Sequence, residues 1–227
     1  MQIRQEDFLR LTTFVKTHYG INLAQKKHLI ESRLGTVIKG MGLTDFKEYV
    51  DYILKTKDEE DLNMLINRLT TNYTYFMRES EHFDFLKNTI LPELERTCTS
   101  RNLGIWSAAC SSGEEPYTLS MILLDFFRTK PHKWDTRILA TDISHRVLQL
   151  AQQGSYNEQD MKDVPENWKR TYFDKKGSNF EAKPILKNNI IFREFNLMDP
   201  IRFKMRFDVI FCRNVMIYFD QATKDAL

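Results

Sequence analysis

The chain has 227 residues, 42% hydrophobic and 28% charged, which is enough to bury the core of one large domain or two small ones. Its net charge of +2 argues against a nucleic-acid partner. No apolar run approaches the roughly 20 residues of a membrane span, so we expect no insertion into the bilayer. Three cysteines without a C-x-x-C pair fit a cytoplasmic protein, and five histidines without ligand spacing predict no metal site.

Residues 1 to about 88 predict helices only. Apolar residues recur at helical spacing in four stretches, about 8–19, 24–39, 44–54 and 58–69. Gly20 is expected to end the first helix, Gly40 and Gly42 the second, and Thr44 to cap the third. The pattern therefore predicts a small all-helical domain at the N-terminus.

Charge is uneven within this helical part. Between residues 16 and 39, five basic side chains accompany one acid, Glu31; they are Lys16, Lys26, Lys27, Arg33 and Lys39. Such a run is usually a solvated helix face and less often a surface that docks an acidic partner protein. The residues by themselves favour the solvated face.

The segment TTNYTYFMRESEHFDFL, residues 70–86, places three polar residues, Asn72, Thr74 and Arg78, among aromatic ones. A purely structural interpretation is that Asn72 or Thr74 caps a helix while Arg78 pairs with Glu79 or Glu81. A functional interpretation is that the three polar side chains line a site. The segment alone leaves both open.

The stretch LGIWSAACSSGEEPY, residues 103–117, reads as a strand, a tight turn and the start of a helix. Pro116 suits the first helical turn, where acidic residues also favour the positive end of the helix dipole. The next strand, RILATDIS, ends on Asp142, 29 residues after Gly113. Nucleotide-binding α/β folds use an acid at this place to hold ribose hydroxyls, so the two stretches predict a nucleoside-binding crevice.

Two further strands are expected to reach the same edge of the sheet. One runs from about Ile190 to Phe195 and ends at Asn196-Leu197, and the other covers residues 207–212 and ends at Arg213-Asn214. Ligands of open parallel sheets bind at the carboxyl ends of the strands.

Residues 155–190, which follow Asp142 and precede the strand at Ile190, predict a helical piece and a small antiparallel β insertion. The predicted β pieces are 171–173, 180–182 and 185–186.

The nucleoside is predicted to carry no phosphate. The chain lacks the G-x-G-x-x-G of a dinucleotide site and the G-K-[ST] of a P-loop. Glu114 and Glu115 would repel phosphate at the mouth of the helix. They suit a cationic ligand, which describes S-adenosylmethionine, with Asp142 on its ribose.

Five stretches carry a family resemblance: LTTNYTYFMRESEHF (69–83), WSAACSSGEEPYTL (106–119), ATDIS (140–144), FNLMD (195–199) and FDVIFCRNVMIYFD (207–220). In these the chain resembles the chemotaxis receptor methyltransferases of the CheR type, which are bacterial protein-glutamate O-methyltransferases. The resemblance implies a helical receptor-docking domain, here 1–88, and an α/β, Rossmann-like S-adenosylmethionine-dependent methyltransferase domain, here 89–227. A small antiparallel β subdomain is implied as an insertion at about 155–190.

The resemblance also implies a site. Arg78 and Tyr218 would be the catalytic residues, nearest the methyl group and the incoming glutamate. Cofactor contacts would come from Asn72, Thr74, Arg78, Glu115, Asp142, Asn196, Leu197, Arg213 and Asn214. S-adenosylhomocysteine would be the product, without a metal. The cytoplasmic methylation helices of transmembrane chemoreceptors would be the partner, which makes Lys26, Lys27, Arg33 and Lys39 a docking face.

Two alternatives stay open at this point. A small-molecule or nucleic-acid N-methyltransferase is weakened because Asn214-Val215-Met216-Ile217 stands where an [ND]-P-P-[YW] sequence would be expected. A regulator that binds S-adenosylmethionine without turnover stays possible, because the family pattern continues beyond Leu227. On that pattern we expect the chain to be a fragment, truncated at its C-terminus.

Overall fold

A computed structural model describes residues 1–56, 58–204 and 206–227 of the chain. They fall into two compact units. The first unit comprises Met1–Thr71, Asn196–Ile201 and Asn214–Leu227, and the second comprises Asn72–Phe195 and Arg202–Arg213. Both the prediction that a domain boundary lies at residue 88 and the predicted limits of the insertion stay predictions.

The helices of the described residues, in chain order, are α1 (Gln5–Tyr19), α2 (Lys27–Gly40), α3 (Phe46–Lys55), α4 (Glu59–Leu69), α5 (Ser80–Phe85), α6 (Leu91–Thr97), α7 (Glu114–Phe127), α8 (His145–Gln153), α9 (Glu166–Tyr172), α10 (Pro184–Lys187) and α11 (Gln221–Ala226). The strands are β1 (Ile105–Ala108), β2 (Ile138–Asp142), β3 (Ser155–Asn157), β4 (Phe173–Lys176), β5 (Asn179–Ala182), β6 (Ile190–Glu194) and β7 (Val209–Phe211). A π-helical turn, Leu86–Ile90, joins α5 to α6, and a 3₁₀ turn covers Met216–Tyr218. None of the described helices combines the length and the apolar character needed to cross a bilayer.

The four predicted helices of the first unit are present as α1 to α4. Their apolar stripes form its core, with Leu11, Val15, Ile30, Leu34, Ile38, Tyr49, Val50 and Leu65 almost fully buried. Gly20 ends α1 in a left-handed conformation, at φ 70°, as predicted. The prediction that Thr44 caps α3 is wrong: the cap is Asp45, whose carboxylate accepts a hydrogen bond from the backbone N–H of Glu48. Asp45 directly precedes Phe46, the first residue of α3, and from this position a short side chain can accept from the third N–H of the helix.

The second unit is built on a four-stranded parallel sheet in the order β6-β2-β1-β7. β1 is buried along its whole length. The chain continues from β1 to β2 and β6 on one side of it, and then to β7 on the other side. The crevice of such a sheet lies at the carboxyl end of β1, where the strand order reverses. The α/β fold class predicted from the sequence is confirmed.

An antiparallel sheet in the order β3-β5-β4 lies between β2 and β6 along the chain. This confirms the predicted β insertion, although its parts differ in place. Phe180–Ala182 is strand, but residues 171 and 172 belong to α9 and the predicted β piece at 185–186 lies in α10. Pro184 explains that error, because its fixed φ and missing N–H suit the first position of a helix.

The aromatic segment before α5, residues 70–79, contains no helix, and the helix begins at Ser80. The interpretation that Asn72 or Thr74 caps a helix is therefore wrong. Met77 and Glu79 have positive φ values of 60° and 53°, and this backbone reversal separates the segment from α5. The Nε of Arg78 lies 3.8 Å from Oε1 of Glu79, so the predicted ion pair between these side chains is found.

Candidate functional site

The connection from β1 to α7 is a loop with an unusual backbone. Ala109, Ser111 and Gly113 all have left-handed conformations, at φ 63°, 50° and 99°. For residues other than glycine this conformation costs about 1–3 kcal/mol and persists only where neighbouring groups fix it. At Gly113 a Cβ atom would lie 2.9 Å from the side chains of both Ala151 and Tyr156, so the space also requires glycine.

Asp142, the last residue of β2, fixes this loop. Its Oδ2 accepts a hydrogen bond of 2.8 Å from the N–H of Ser111, and its Oδ1 accepts one of 2.9 Å from the N–H of Ser144. Burial raises the pKa of the Asp142 carboxyl, and these backbone donors partly offset the rise. The backbone N–H of Ile143 adds a third donor. Because a carboxylate has about four lone-pair sites, the side chain can still accept from a ligand hydroxyl.

Glu115, in the first turn of α7, is held from two sides. The hydroxyl of Ser107, on β1, donates to its Oε1 at 2.7 Å, and Nη1 of Arg213 lies 3.1 Å from its Oε2. Burial raises the pKa of Glu115, against the lowering effect of these two partners. The carboxylate therefore has a fixed position beside the tip of β1.

Arg213 follows β7 and bridges two acids. Besides Glu115, its guanidinium contacts Oε2 of Glu79 at 3.2 Å and the carbonyl oxygen of Arg78, and it lies 5.0 Å from the ring centre of Phe83. Its side chain is only 10% exposed. The buried Nε has no hydrogen-bond partner in the described part of the chain.

Three acidic side chains lie near enough to Cys110, in the middle of the loop, to affect its pKa. Burial raises the pKa of its thiol well above the ordinary value, and the negative charges of Asp142, Glu115 and Glu114 raise it further. A thiol in these surroundings stays protonated, which excludes a nucleophilic thiolate at neutral pH. Of these three acids, Glu115 is paired with Arg213, so Asp142 and Glu114 are the ones whose charge favours a cationic ligand at the end of β1.

Arg78 is the second cationic group near this loop, and two tyrosines hold it. Its Nη1 donates to the carbonyl oxygen of Tyr73 at 2.8 Å, and its guanidinium carbon lies 5.7 Å and 5.8 Å from the ring centres of Tyr73 and Tyr75. These distances are within the range of cation–π attraction. The Arg78 side chain is 24% exposed, so it can still bind an anion.

Other predicted site residues lie in the first unit. Asn196 donates from Nδ2 to the carbonyl oxygen of His18 at 2.7 Å, and the Tyr218 hydroxyl donates to that of Thr71 at 3.2 Å. Leu197 lines a pocket of about 610 Å³ within that unit, and Asn214 is left-handed at φ 56°. That these four residues join the site of the second unit stays a prediction.

In the second unit the structure brings together Arg78, Glu115 and Arg213, and Asp142, at the end of β2, is hydrogen-bonded to the loop between β1 and α7. Asn72 contributes its carbonyl oxygen, which accepts from the Ser111 hydroxyl at 3.0 Å. Thr74 is half-buried. In the described residues no group of His, Cys, Asp or Glu side chains is arranged to hold a metal ion.

Three of the four predicted docking residues are available on the surface of the first unit. Lys26 and Lys39 are exposed and Lys27 is half-buried. Arg33 has a structural task, because its guanidinium donates to the carbonyl oxygen of Thr70 at 2.8 Å and to the Thr71 hydroxyl at 3.1 Å. It thereby satisfies groups at the C-terminal end of α4.

Sequence reasoning did not single out two residues that support the loop. Ser107 is fully buried, and a polar residue inside an apolar strand is a recognisable signal, because a buried hydroxyl needs a partner. Tyr156 donates from its hydroxyl to the carbonyl oxygen of Ser112 at 2.8 Å. No pattern in the sequence points to this contact, because it joins the β insertion to a loop 44 residues away.

Comparison with known proteins gives a family for both parts of the chain. Residues 6–70 match the family model described as CheR methyltransferase, all-alpha domain, and residues 72–227 match the one described as CheR methyltransferase, SAM binding domain. The chain is 44% identical to a chemotaxis protein methyltransferase of Borreliella burgdorferi, covering 100% of this chain and 82% of that protein. It is 37% identical to chemotaxis protein methyltransferase 1 of Pseudomonas aeruginosa (99% and 83% covered) and 34% identical to the chemotaxis protein methyltransferase of Escherichia coli (97% and 76%). The chain therefore belongs to the CheR methyltransferase family.

Proposed function

We propose that this protein transfers a methyl group from S-adenosylmethionine to glutamate side chains of bacterial chemoreceptors, forming methyl esters. The observation that carries the proposal is the set of acids at the end of β1: Asp142 is hydrogen-bonded to the loop at Ser111, and Glu114 and Glu115 lie in the first turn of α7. Family membership and the names of the relatives support the reaction class and the chemotaxis context. No observation favours a regulator without turnover or a small-molecule methyltransferase.

The residues at the strand ends fit this cofactor. S-adenosylmethionine has a cationic sulfonium and an ammonium group but no phosphate, and the cluster of carboxylates would attract both cations while repelling a phosphate. Asp142 would accept from the ribose hydroxyls with its remaining lone pairs. Glu115 would bind the ammonium group, and Arg213, which contacts Glu115, would complete the pocket beside it.

The remaining predicted contacts complete the proposed site. Asn72 and Thr74 would line the cofactor from the segment that leads to Arg78. Asn196 and Leu197 would flank the adenine, and Asn214 would close the pocket beside Arg213. The family resemblance implies these roles for the matching positions of this chain. S-adenosylhomocysteine would be the product.

The chemistry asks little of the protein beyond orientation. The cofactor supplies a methyl group on a sulfonium, and a glutamate side chain is already ionised near pH 7, so no general base is needed. Holding two reactants in line can supply about 7–11 kcal/mol of the barrier. Arg78 would bind the incoming carboxylate and the Tyr218 hydroxyl would orient it, with no proton transfer by either.

The basic residues of the first unit support a protein substrate. Lys26, Lys27 and Lys39 would face the acidic methylation helices in the receptor's cytoplasmic part, and complementary charge would speed their encounter. Arg33 would add to this field although its donors are engaged at the end of α4. Residues 1–88 would then be the docking domain, 89–227 the catalytic domain with its insertion at about 155–190, and the cytoplasm the site of action.

The test is transfer of tritiated methyl groups to a purified cytoplasmic receptor fragment. We expect Arg78→Ala to reduce kcat severely and Asp142→Ala mainly to raise KM for the cofactor, while the exposed Arg146→Ala is the control for loss of a positive charge. Alkaline hydrolysis should release the label as methanol, as an ester requires. Label that resists alkali, or equal and small effects of the Arg78 and Asp142 variants, would contradict the proposal.

A further inference from the structure

Tyr156 connects the β insertion to the loop between β1 and α7. It lies in β3, is only 4% exposed, and donates from its hydroxyl to the carbonyl oxygen of Ser112 at 2.8 Å. Its ring packs edge-on against Phe76 at 4.8 Å and against Tyr117 at 5.9 Å between ring centres. One side chain of the insertion thus contacts the loop, α7 and the segment that leads to Arg78.

The loop depends on such contacts because its backbone is strained. Ser112 stands between the left-handed residues Ser111 and Gly113, and the N–H of Ser111 is the donor that Asp142 accepts. The Ser112 hydroxyl in turn donates to the Glu114 carboxylate at 2.9 Å. A group that fixes the Ser112 carbonyl therefore helps to fix the acids on either side of it.

On its other side, Tyr156 belongs to the inserted sheet. It is paired with Phe180 of β5 across the antiparallel ladder. Gly154, just before β3, accepts a backbone hydrogen bond of 2.8 Å from the N–H of Ala182. A displacement of β3 would move the Tyr156 hydroxyl, because Tyr156 is part of that strand.

We infer that Tyr156 is a positioning residue for the cofactor loop, and that through it the inserted sheet and the cofactor site stabilise each other. The inference rests on the proposed function in one respect, namely that this loop binds S-adenosylmethionine. Coupling between sites is reciprocal. Binding of S-adenosylhomocysteine should therefore stabilise the inserted sheet, and a change that destabilises the sheet should weaken cofactor binding.

The experiment compares Tyr156→Phe with Tyr117→Phe by calorimetric titration of S-adenosylhomocysteine into the full chain. The two variants are matched, since the Tyr117 hydroxyl donates to the carbonyl oxygen of Ala151, on α8, at 3.0 Å and is equally buried. Tyr156→Phe leaves the half-buried Ser112 carbonyl without this donor, so we expect the variant to bind S-adenosylhomocysteine about tenfold more weakly. In the methyl-transfer assay its KM for the cofactor should rise while kcat changes little, and Tyr117→Phe should stay within about twofold of the wild type.

Amide hydrogen exchange gives a second readout. S-adenosylhomocysteine should protect the amides of β3 and β5 in the wild type and much less in Tyr156→Phe. Equal affinities of Tyr156→Phe and wild type, or an equal loss in both variants, would overturn the inference and leave the proposed function intact. A wild type that binds no S-adenosylhomocysteine would overturn both. If Tyr156→Phe does not fold, exchange in the wild type decides, and unchanged protection of β3 and β5 counts against the inference.

Discussion

Replacing Glu114 by Gln should stabilise the protein, and more so as the pH rises. Burial raises the pKa of this carboxyl from 4.5 to about 6, against the lowering effect of the Ser112 hydroxyl, while the charge of Asp160 adds to the rise. The buried Tyr156 and Cys110 are further titratable neighbours, and both have pKa values raised far above this range. Because the unfolded chain releases the proton first, the wild type loses stability between about pH 4.5 and 6.

The magnitude follows from the size of the pKa change. A rise of about 1.5 units corresponds to about 2 kcal/mol against folding once the pH exceeds 6. Gln has nearly the same shape, can accept from Ser112 and carries no charge, so it removes this cost. The N-terminus of α7 favours a negative charge by about 0.3–1 kcal/mol, which leaves a net gain of about 1–2 kcal/mol at pH 8 and little gain at pH 4.5.

Urea unfolding of wild type and Glu114→Gln at pH 4.5, 6 and 8 measures this difference. Glu166→Gln is the matched control, because Glu166 also lies in the first turn of a helix but has its pKa lowered by Lys169. Its contribution is therefore present above the unfolded pKa and lost as the pH falls, so that variant should be destabilised at pH 8. The reasoning is refuted if Glu114→Gln shows no gain at pH 8, or the same gain at all three pH values.

Two other substitutions test contacts that the structure adds to the predicted residues. Arg33→Ala should lower the free energy of unfolding by about 1–2 kcal/mol, since it removes the donors at the end of α4; Arg33→Lys should recover only part of this in urea titrations, and a full recovery would mean that charge alone matters. Tyr75→Ala should reduce kcat about two- to fivefold, the equivalent of the 0.5–1 kcal/mol of a partly exposed cation–π contact with Arg78. Tyr75→Phe keeps the ring and should turn over like the wild type, so equal losses in both variants would argue for a role of the hydroxyl instead.

The framework of the site was predictable because local signals coincide there. An apolar run that breaks into Ser111-Ser112-Gly113 and then Pro116 allows few backbones other than strand, turn and helix. Asp142 was predictable for a similar reason, as an acid that ends the next apolar run. The parallel order of the strands then brings their polar ends to one edge.

The contacts that support the site were not predictable from local patterns. Tyr156 reaches Ser112 because of how the insertion folds back, and no periodicity encodes that distance. In the sequence, Arg33 looks like any other basic residue of a helix. The groups to which it donates lie at the end of α4, 37 residues further along the chain, and no local pattern indicates them. The same limit explains Ile185-Leu186, whose apolar character suggested a strand although Pro184 starts a short helix there.

Calorimetric titration of this chain with S-adenosylhomocysteine, beside NAD⁺ as a phosphate-bearing nucleotide, tests the central claim most directly. We expect one S-adenosylhomocysteine bound per chain, at least about tenfold weaker binding by Asp142→Ala, and no heat from NAD⁺. Binding of NAD⁺ in competition with S-adenosylhomocysteine, or affinity for the latter that does not depend on Asp142, would contradict it.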